Sequence, residues 1–205
     1  RGSYDNIHCD NFDTIMSRFT KHFDELEQIA ADSNTKIRIL RGLEVDFFYY
    51  PEWQTYLKQA IKILQPDYLI GACHFVEHNG TLCNVHDVAN ADPANRDIMI
   101  NKYWKKIQDA SQSGIFSWMA HLDLPKKVSV GQEDKWIDAE EEAVQTLKKN
   151  KMPIEINTGL YRPYCYQPYP SPRIMKMAAN ANLPVLFSDD AHHTVQIMRH
   201  FDEAK

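Results

Sequence analysis

The chain of 205 residues has little of what marks several large classes of protein. Seven glycines and ten prolines exclude collagen-like and linker-like chains. No apolar run reaches the roughly 18 residues that a membrane-spanning helix needs. Acidic residues (28) outnumber Lys and Arg (23), which gives a net charge of -5 and argues against a dense basic surface for nucleic acid. We therefore expect a folded protein whose partners include neither nucleic acid nor membrane.

The cysteines are equally uninformative about a scaffold. Four are present, at Cys9, Cys73, Cys83 and Cys165, and no two of them form a CxxC pair, which argues against a zinc ribbon. Four scattered cysteines in a chain of this length do not resemble a disulfide framework, and no secretory signal opens the sequence. We expect a cytoplasmic protein with reduced thiols.

The pattern that is present alternates amphipathic helices with short apolar strands. Helices are predicted at 15–30, 53–64, 96–112, 134–150 and 171–181, with a last one starting near Thr194. Strands are predicted at 36–42, 68–70, 115–120, 152–156 and 183–187, and a long polar loop at 75–94. This order is typical of βαβ units, so it predicts an α/β domain with a parallel sheet across residues 1–205.

Side chains able to bind metal recur just after the predicted strands. They are Glu44, His74, His121, Asn157, Asp190 and His192. Each alone has an ordinary explanation, such as a structural histidine, a helix cap or a surface carboxylate. Parallel α/β folds place their sites at the carboxyl ends of the strands, so together these residues predict one site on one rim.

The chemistry of this set favours a hard or borderline metal. Histidine and carboxylate ligands without cysteine favour Zn, Mn or Fe, and Glu44 suits a bridge between two metals. Such sites commonly cleave phosphate esters with a metal-activated hydroxide. Asp46 and Asp123, each two residues beyond a candidate ligand, are expected to support ligands or cap helices. Four other histidines are expected on the surface or in loops: His22, His78, His86 and His200.

Six segments carry a resemblance to a known family. In chain order they are Gly42–Asp46, Gly71–Phe75, Ala120–Leu124, Glu155–Thr158, Tyr169–Pro172 and Ser188–His192. They resemble motifs of the PHP-type histidinol-phosphate phosphatases, members of the polymerase and histidinol phosphatase superfamily. The resemblance runs over about residues 12–204 in the same order. It implies hydrolysis of the small phosphate ester L-histidinol phosphate to L-histidinol and phosphate, in histidine biosynthesis.

The resemblance also implies a fold and a ligand set. The family fold is a distorted (β/α)7 barrel with two to three divalent metal ions at its C-terminal rim. Carried over, Glu44 would bridge the first two metals, His74 and His121 would complete the second, Asp190 would bind the first and His192 the third. Glu44 and Asp190 would then be the catalytic carboxylates.

The sequence departs from the family at its start. The family begins with a strand that carries a His-x-His metal motif, and no His-x-His is present here. The five predicted strands correspond to strands three to seven of the family barrel. We therefore expect an incomplete barrel domain, with the first two strands and further ligands upstream, and a C-terminus that is also cut short.

Positive charge for a phosphate group comes from Lys126, Lys127 and Arg162, which follow two of the strand ends. A solvated turn is the simpler explanation for the two lysines.

Three functions stay open: a histidinol phosphatase, another PHP phosphoesterase acting on a nucleotide or phosphoprotein, and a degenerate PHP-like module without turnover. The missing His-x-His favours the last, whereas five retained ligands speak against it.

Overall fold

The computed structural model describes residues 11–32, 34–128, 132–160 and 167–205. Within them lie five α-helices: α1 (Phe12–Ala31), α2 (Pro51–Leu64), α3 (Pro93–Gln112), α4 (Ile137–Asn150) and α5 (Pro172–Asn180). The strands are β1 (Gly42–Asp46), β2 (Tyr68–Ala72), β3 (Phe75–His78), β4 (Thr81–Asn84), β5 (Trp118–Met119), β6 (Ile154–Asn157) and β7 (Val185–Ser188). The chain divides into two compact units, Arg1–Leu43 with Phe48–Tyr68, and Glu44–Phe47 with Leu69–Lys205.

The first unit is built on α1 and α2. The side chain of Asn11 caps α1 by accepting a hydrogen bond from the backbone N–H of Thr14 at 2.9 Å. Pro51 occupies the first turn of α2, where its missing N–H costs nothing. The apolar faces of the two helices meet in a small core of Met16, Phe23, Ala60 and Leu64. Amphipathic spacing alone had predicted both helices.

The second unit holds most of a five-stranded sheet with the strand order β1-β2-β5-β6-β7. The pairs β2–β5, β5–β6 and β6–β7 are all parallel, which confirms the predicted α/β class with a mainly parallel sheet. Helices α3 and α4 pack together beside it, and Ile107, Leu147 and Ile154 are fully buried there. The carboxyl ends of adjacent strands are thereby held at one edge.

The predicted long loop at 75–94 is wrong, because the chain forms a hairpin there. Strands β3 and β4 pair antiparallel, with Phe75 opposite Asn84. Asn79 and Gly80 close the turn with φ values of 50° and 73°. Positive φ at both central positions is what a tight two-residue hairpin needs, and the Asn-Gly pair meets it at low cost. A short 3₁₀ helix, Val85–Asn90, follows.

Two further predictions fail at element boundaries. The strand predicted at 36–42 is wrong: β1 begins only at Gly42, and the side chains of Ile37 and Leu40 stay 75% and 43% exposed. Glu44 consequently lies within β1 rather than after it. The predicted last helix is also wrong, since only Thr194–Gln196 forms a 3₁₀ turn. Met198 and His200 have φ values of 60° and 57°, which a right-handed helix cannot contain.

Candidate metal centre

Glu44, His74 and His121 form a tight cluster at the carboxyl edge of the sheet. One ligand atom from each lies within 4.8 Å of the other two. Glu44 Oε1 lies 3.0 Å from His121 Nε2 and 3.7 Å from His74 Nε2. The two imidazole rings have their centroids 4.7 Å apart. The sheet thus brings together three of the residues that the strand-end pattern singled out.

Adjacent strands supply the three side chains in turn. Glu44 lies in β1, His74 follows β2 and His121 follows β5, and these strands are neighbours in the sheet. The ladder continues past the strand ends, because Ala120 N donates to Gly71 O at 2.8 Å. A Cβ on Gly71 would lie 2.7 Å from the Phe116 ring, so the close approach here depends on glycine.

Asp46 orients the imidazole of His74. Its Oδ1 accepts the backbone N–H of His74 at 2.6 Å, and its Oδ2 lies 3.1 Å from His74 Nδ1. Burial by itself raises the pKa of Asp46, but hydrogen bonds and charge from His74 outweigh it and leave the pKa lowered. An ionised carboxylate can only accept, so Nδ1 carries the proton and the Nε2 lone pair faces the cluster. Asp46 therefore has the supporting position that its spacing indicated.

Glu155 supports His121, and sequence reasoning missed it. This buried carboxylate lies in β6, where its Oε1 accepts the backbone N–H of His121 at 2.9 Å and the Asn157 amide at 2.7 Å. Burial raises the pKa of Glu155. Asn157 in turn accepts the N–H of Gly159 at 2.7 Å, so its amide ties strand to loop. A single charged residue inside the buried run Ile154–Asn157 was the available signal.

Glu44 and His121 lie 3.0 Å apart and shift each other's pKa. Burial raises the pKa of Glu44, but the hydrogen bond and charge of His121, with the charge of His74, outweigh it and leave the pKa lowered. Burial lowers the pKa of His121, but the hydrogen bond and charge of Glu44 outweigh it and leave the pKa raised.

The donor set fits a divalent metal ion. One carboxylate oxygen and two imidazole nitrogens are ligands that Zn, Mn and Fe accept. Ligand atoms about 2.0–2.2 Å from a zinc ion lie about 3–4 Å from one another, and the separations of 3.0 and 3.7 Å agree with this. Glu44, His74 and His121 could therefore hold one such ion.

Among the residues that the structure describes, the other two predicted ligands, Asp190 and His192, are not part of this cluster. Asp190 follows β7, and its charge helps to raise the pKa of His121, so the two side chains are close enough to interact. The side chain of His192 is 76% exposed, and its Nδ1 lies 2.8 Å from the carbonyl oxygen of Asp190. The five-residue ligand set therefore stays a prediction, with three members in contact range.

The predicted phosphate-binding residues differ in their surroundings. The Lys126 side chain is only 9% exposed, lies 3.4 Å from Asp123 Oδ2 and donates to the carbonyl oxygen of Pro168. Asp123 Oδ2 also accepts the N–H of Ser171 at 2.8 Å, at the start of α5. Lys127 Nζ lies 5.3 Å from the centroid of the Tyr169 ring. Arg162 lies outside the described residues.

Comparisons with known proteins agree with the motif resemblance. No family model matches the chain. The chain is 24% identical over 189 residues to a Deinococcus radiodurans protein named "Probable histidinol-phosphatase", covering 92% of this chain and 71% of that protein. The similarity to histidinol phosphatases that the motifs indicated is thereby confirmed.

Two solved structures share the fold. The HisK protein of Listeria monocytogenes superposes with a TM-score of 0.75 at 19% identity, over 92% of this chain and 76% of that one. Histidinol phosphate phosphatase from Lactococcus lactis, crystallised with zinc, L-histidinol and phosphate, gives a TM-score of 0.61 at 17% identity, over 90% and 73%. Within the described residues, no helix is long and apolar enough to cross a membrane.

Proposed function

We propose that this protein is a divalent-metal-dependent phosphomonoesterase that hydrolyses L-histidinol phosphate to L-histidinol and phosphate, in histidine biosynthesis. The observation that carries the proposal is the cluster of Glu44, His74 and His121 at the carboxyl edge of the parallel sheet. Two similarities support it: to the Deinococcus protein, and to a structure that contains zinc, L-histidinol and phosphate. We also propose that the fold is a distorted (β/α)7 barrel.

The proposed metal ligands are those expected from the sequence. Glu44, His74 and His121 hold one ion, and Asp190 and His192 complete a site of two to three ions of Zn, Mn or Fe. When bound, such ions lower the pKa of a coordinated water and offset charge on a phosphoryl oxygen. The catalytic carboxylates of the proposal are Glu44 and Asp190, whose negative charges hold the cations at the sheet edge.

The protein's own side chains orient the site and meet the phosphate. Asp46 fixes His74 through two hydrogen bonds, and Glu155 fixes the backbone of His121. The charge of Lys126 faces the Asp123 carboxylate, and both Lys126 and Lys127 are proposed to contribute positive charge for the phosphate. Arg162 would add a guanidinium able to bind two phosphoryl oxygens at once.

The test is phosphate release from L-histidinol phosphate with added Zn or Mn. We expect metal-dependent turnover that Glu44→Gln abolishes, because an amide cannot offset the charge of a bound cation. Glu25→Gln changes an exposed carboxylate of α1 and serves as the matched control. A nucleoside monophosphate and a phosphoserine peptide are assayed in parallel. Faster hydrolysis of either would assign another phosphoesterase, and metal binding without any turnover would assign a non-catalytic module.

A further inference from the structure

Arg199 joins two segments at the carboxyl edge of the sheet. Its Nη2 donates to the carbonyl oxygen of Gly159, after β6, at 3.3 Å and to that of Asp189, after β7, at 3.2 Å. A terminal guanidinium nitrogen carries two hydrogens, so it can serve both acceptors. The residue that follows Asp189 is Asp190, one of the proposed metal ligands. Arg199 therefore holds the backbone directly before a carboxylate of the candidate site.

The contact is so close that Gly159 has no room for a side chain. A Cβ at this position would lie 2.8 Å from Asn157 Oδ1, 3.1 Å from Asp190 Cβ and 3.2 Å from Arg199 Nη2. The guanidinium, the Asn157 amide and the side chain of Asp190 thus surround one point of the backbone. Arg199 and Asp190 are consequently neighbours in space as well as members of adjoining segments.

Hydrogen bonds connect this point to the histidine cluster. The Gly159 N–H donates to Asn157 Oδ1 at 2.7 Å, and the Asn157 amide donates to Glu155 Oε1 at 2.7 Å. The same glutamate oxygen accepts the backbone N–H of His121 at 2.9 Å. A continuous series of contacts therefore runs from His121 through the end of β6 to Arg199.

The backbone on both sides of Arg199 adopts a conformation that side chains disfavour. Met198 and His200 have φ values of 60° and 57°, and Asp190 has a φ of 49°. Non-glycine residues in this left-handed region persist where surrounding contacts hold them, and they concentrate at functional sites. Asp189 Oδ2 supplies one such contact by accepting the N–H of Met198. The segment after β7 and the segment that carries Arg199 thus hold each other in place.

We propose that Arg199 is a positioning residue of the metal centre. Its guanidinium fixes the backbone at Gly159 and Asp189, and this holds the Asp190 carboxylate where it binds a metal ion. The inference rests on the proposed function for the assignment of Asp190 as a ligand. It does not need turnover, because metal binding is measured directly.

The experiment measures Zn²⁺ affinity by competition with a chromophoric chelator in the wild type, Asp190→Asn, Arg199→Met and the double variant. Asp190→Asn should weaken zinc binding, because an amide lacks the charge of the carboxylate. Arg199→Met should weaken it about tenfold, the lower end of the loss expected when a residue behind a metal ligand is changed. The double variant should match Asp190→Asn within about twofold, because Arg199 acts only through Asp190.

Two further variants separate this role from a general structural one. Arg199→Lys keeps the charge and can donate to one of the two carbonyl oxygens, so it should recover part of the lost affinity. Arg38→Met removes an exposed arginine before β1 and should leave the zinc affinity unchanged. Melting temperatures of the metal-free proteins should agree. If Arg199→Met is destabilised, the comparison with Asp190→Asn is made with Arg199→Lys instead.

Additive losses in the double variant would overturn the proposal, because Arg199 would then act on zinc independently of Asp190. A zinc affinity within about twofold of wild type in Arg199→Met or in Asp190→Asn would also overturn it. Weaker binding of inorganic phosphate in Arg199→Met at unchanged zinc affinity would overturn it and make Arg199 a substrate contact. If histidinol phosphate is not hydrolysed but the zinc affinities of the two sites are coupled, the proposed function fails and this inference stands.

Discussion

Asp46→Asn tests whether a carboxylate sets the tautomer of His74. In the wild type, Oδ1 accepts the backbone N–H of His74 at 2.6 Å and Oδ2 lies 3.1 Å from Nδ1. An asparagine must keep its one oxygen on the backbone N–H, because that donor would otherwise lose its acceptor. Its NH₂ group then faces Nδ1 as a donor. The imidazole responds by moving its proton to Nε2, the atom that faces Glu44.

The expected loss of metal affinity follows from the change of tautomer at His74. A protonated Nε2 cannot bind a cation, so the variant must hold the unfavourable tautomer or leave His74 out of the site. Changes to a carboxylate behind a metal-bound histidine cost about 10–100-fold in metal affinity. This corresponds to about 1.4–2.8 kcal/mol of binding free energy. The side chains have nearly the same volume, so packing around Asp46 should change little.

The assay is competition for Zn²⁺ against a chromophoric chelator, with circular dichroism to check the fold. Asp138→Asn is the matched control, because it makes the same chemical change at an exposed residue of α4. We expect weaker zinc binding only in Asp46→Asn. A zinc affinity equal to wild type in Asp46→Asn would refute the tautomer argument and leave His74 outside the metal centre.

Three further predictions concern charge and packing. Because the pKa of His121 is raised, protons should compete with zinc for this imidazole, so zinc binding should weaken as the pH falls. Calorimetry in buffers of different ionisation enthalpy measures the protons released, and zinc binding without proton release would contradict this prediction. Burial raises the pKa of Glu140 from 4.5 to about 7 despite its Arg173 partner, so the folded state binds an extra proton in that window and stability falls as pH rises through it. Glu140→Gln should flatten this slope in thermal unfolding, and an unaltered slope would assign it to other groups. Leu147→Ala, at a fully buried position, should cost about 2–5 kcal/mol in urea unfolding. Val195→Ala, at a side chain 89% exposed, should stay within about 0.5 kcal/mol, and similar losses in both would contradict the assigned core.

The helices were predictable because one face of each is buried against a neighbour. In α3 the apolar spacing predicted residues 96–112, and the helix starts three residues earlier, at Pro93. Asp92 is the N-cap of α3, because its side chain accepts hydrogen bonds from the backbone N–H groups of Ala94 and Asn95 at 3.1 Å. Asp-Pro also marks turns, so local sequence does not distinguish a cap from a loop. Strands were harder, since apolar runs such as Ile37–Leu40 need a sheet partner to be buried.

In the candidate site, too, residues marked by the local sequence pattern could be predicted, and residues placed by distant contacts could not. His74 and His121 stand just past apolar strands, so their position was visible in the linear pattern. Glu155 was not, because its role depends on the backbone N–H of a residue 34 positions away. Contacts between residues far apart in the sequence therefore determine which polar residues lie at the site, and these contacts could not be predicted from the local sequence pattern.

The backbone N–H groups of His74 and His121 are each held by a carboxylate from a neighbouring strand. The backbone N–H of His74 is taken by Asp46 from β1, and that of His121 is taken by Glu155 from β6. With Glu44 between them, three carboxylates converge on two histidines. Burial raises the pKa of Glu155, whereas the pKa values of Glu44 and Asp46 are lowered, so the negative charge lies mainly on the two carboxylates of β1. In the proposed metal centre these two carboxylates would have two functions: Asp46 would fix the orientation of His74, and with Glu44 it would supply the negative charge that a divalent cation offsets better than a proton does.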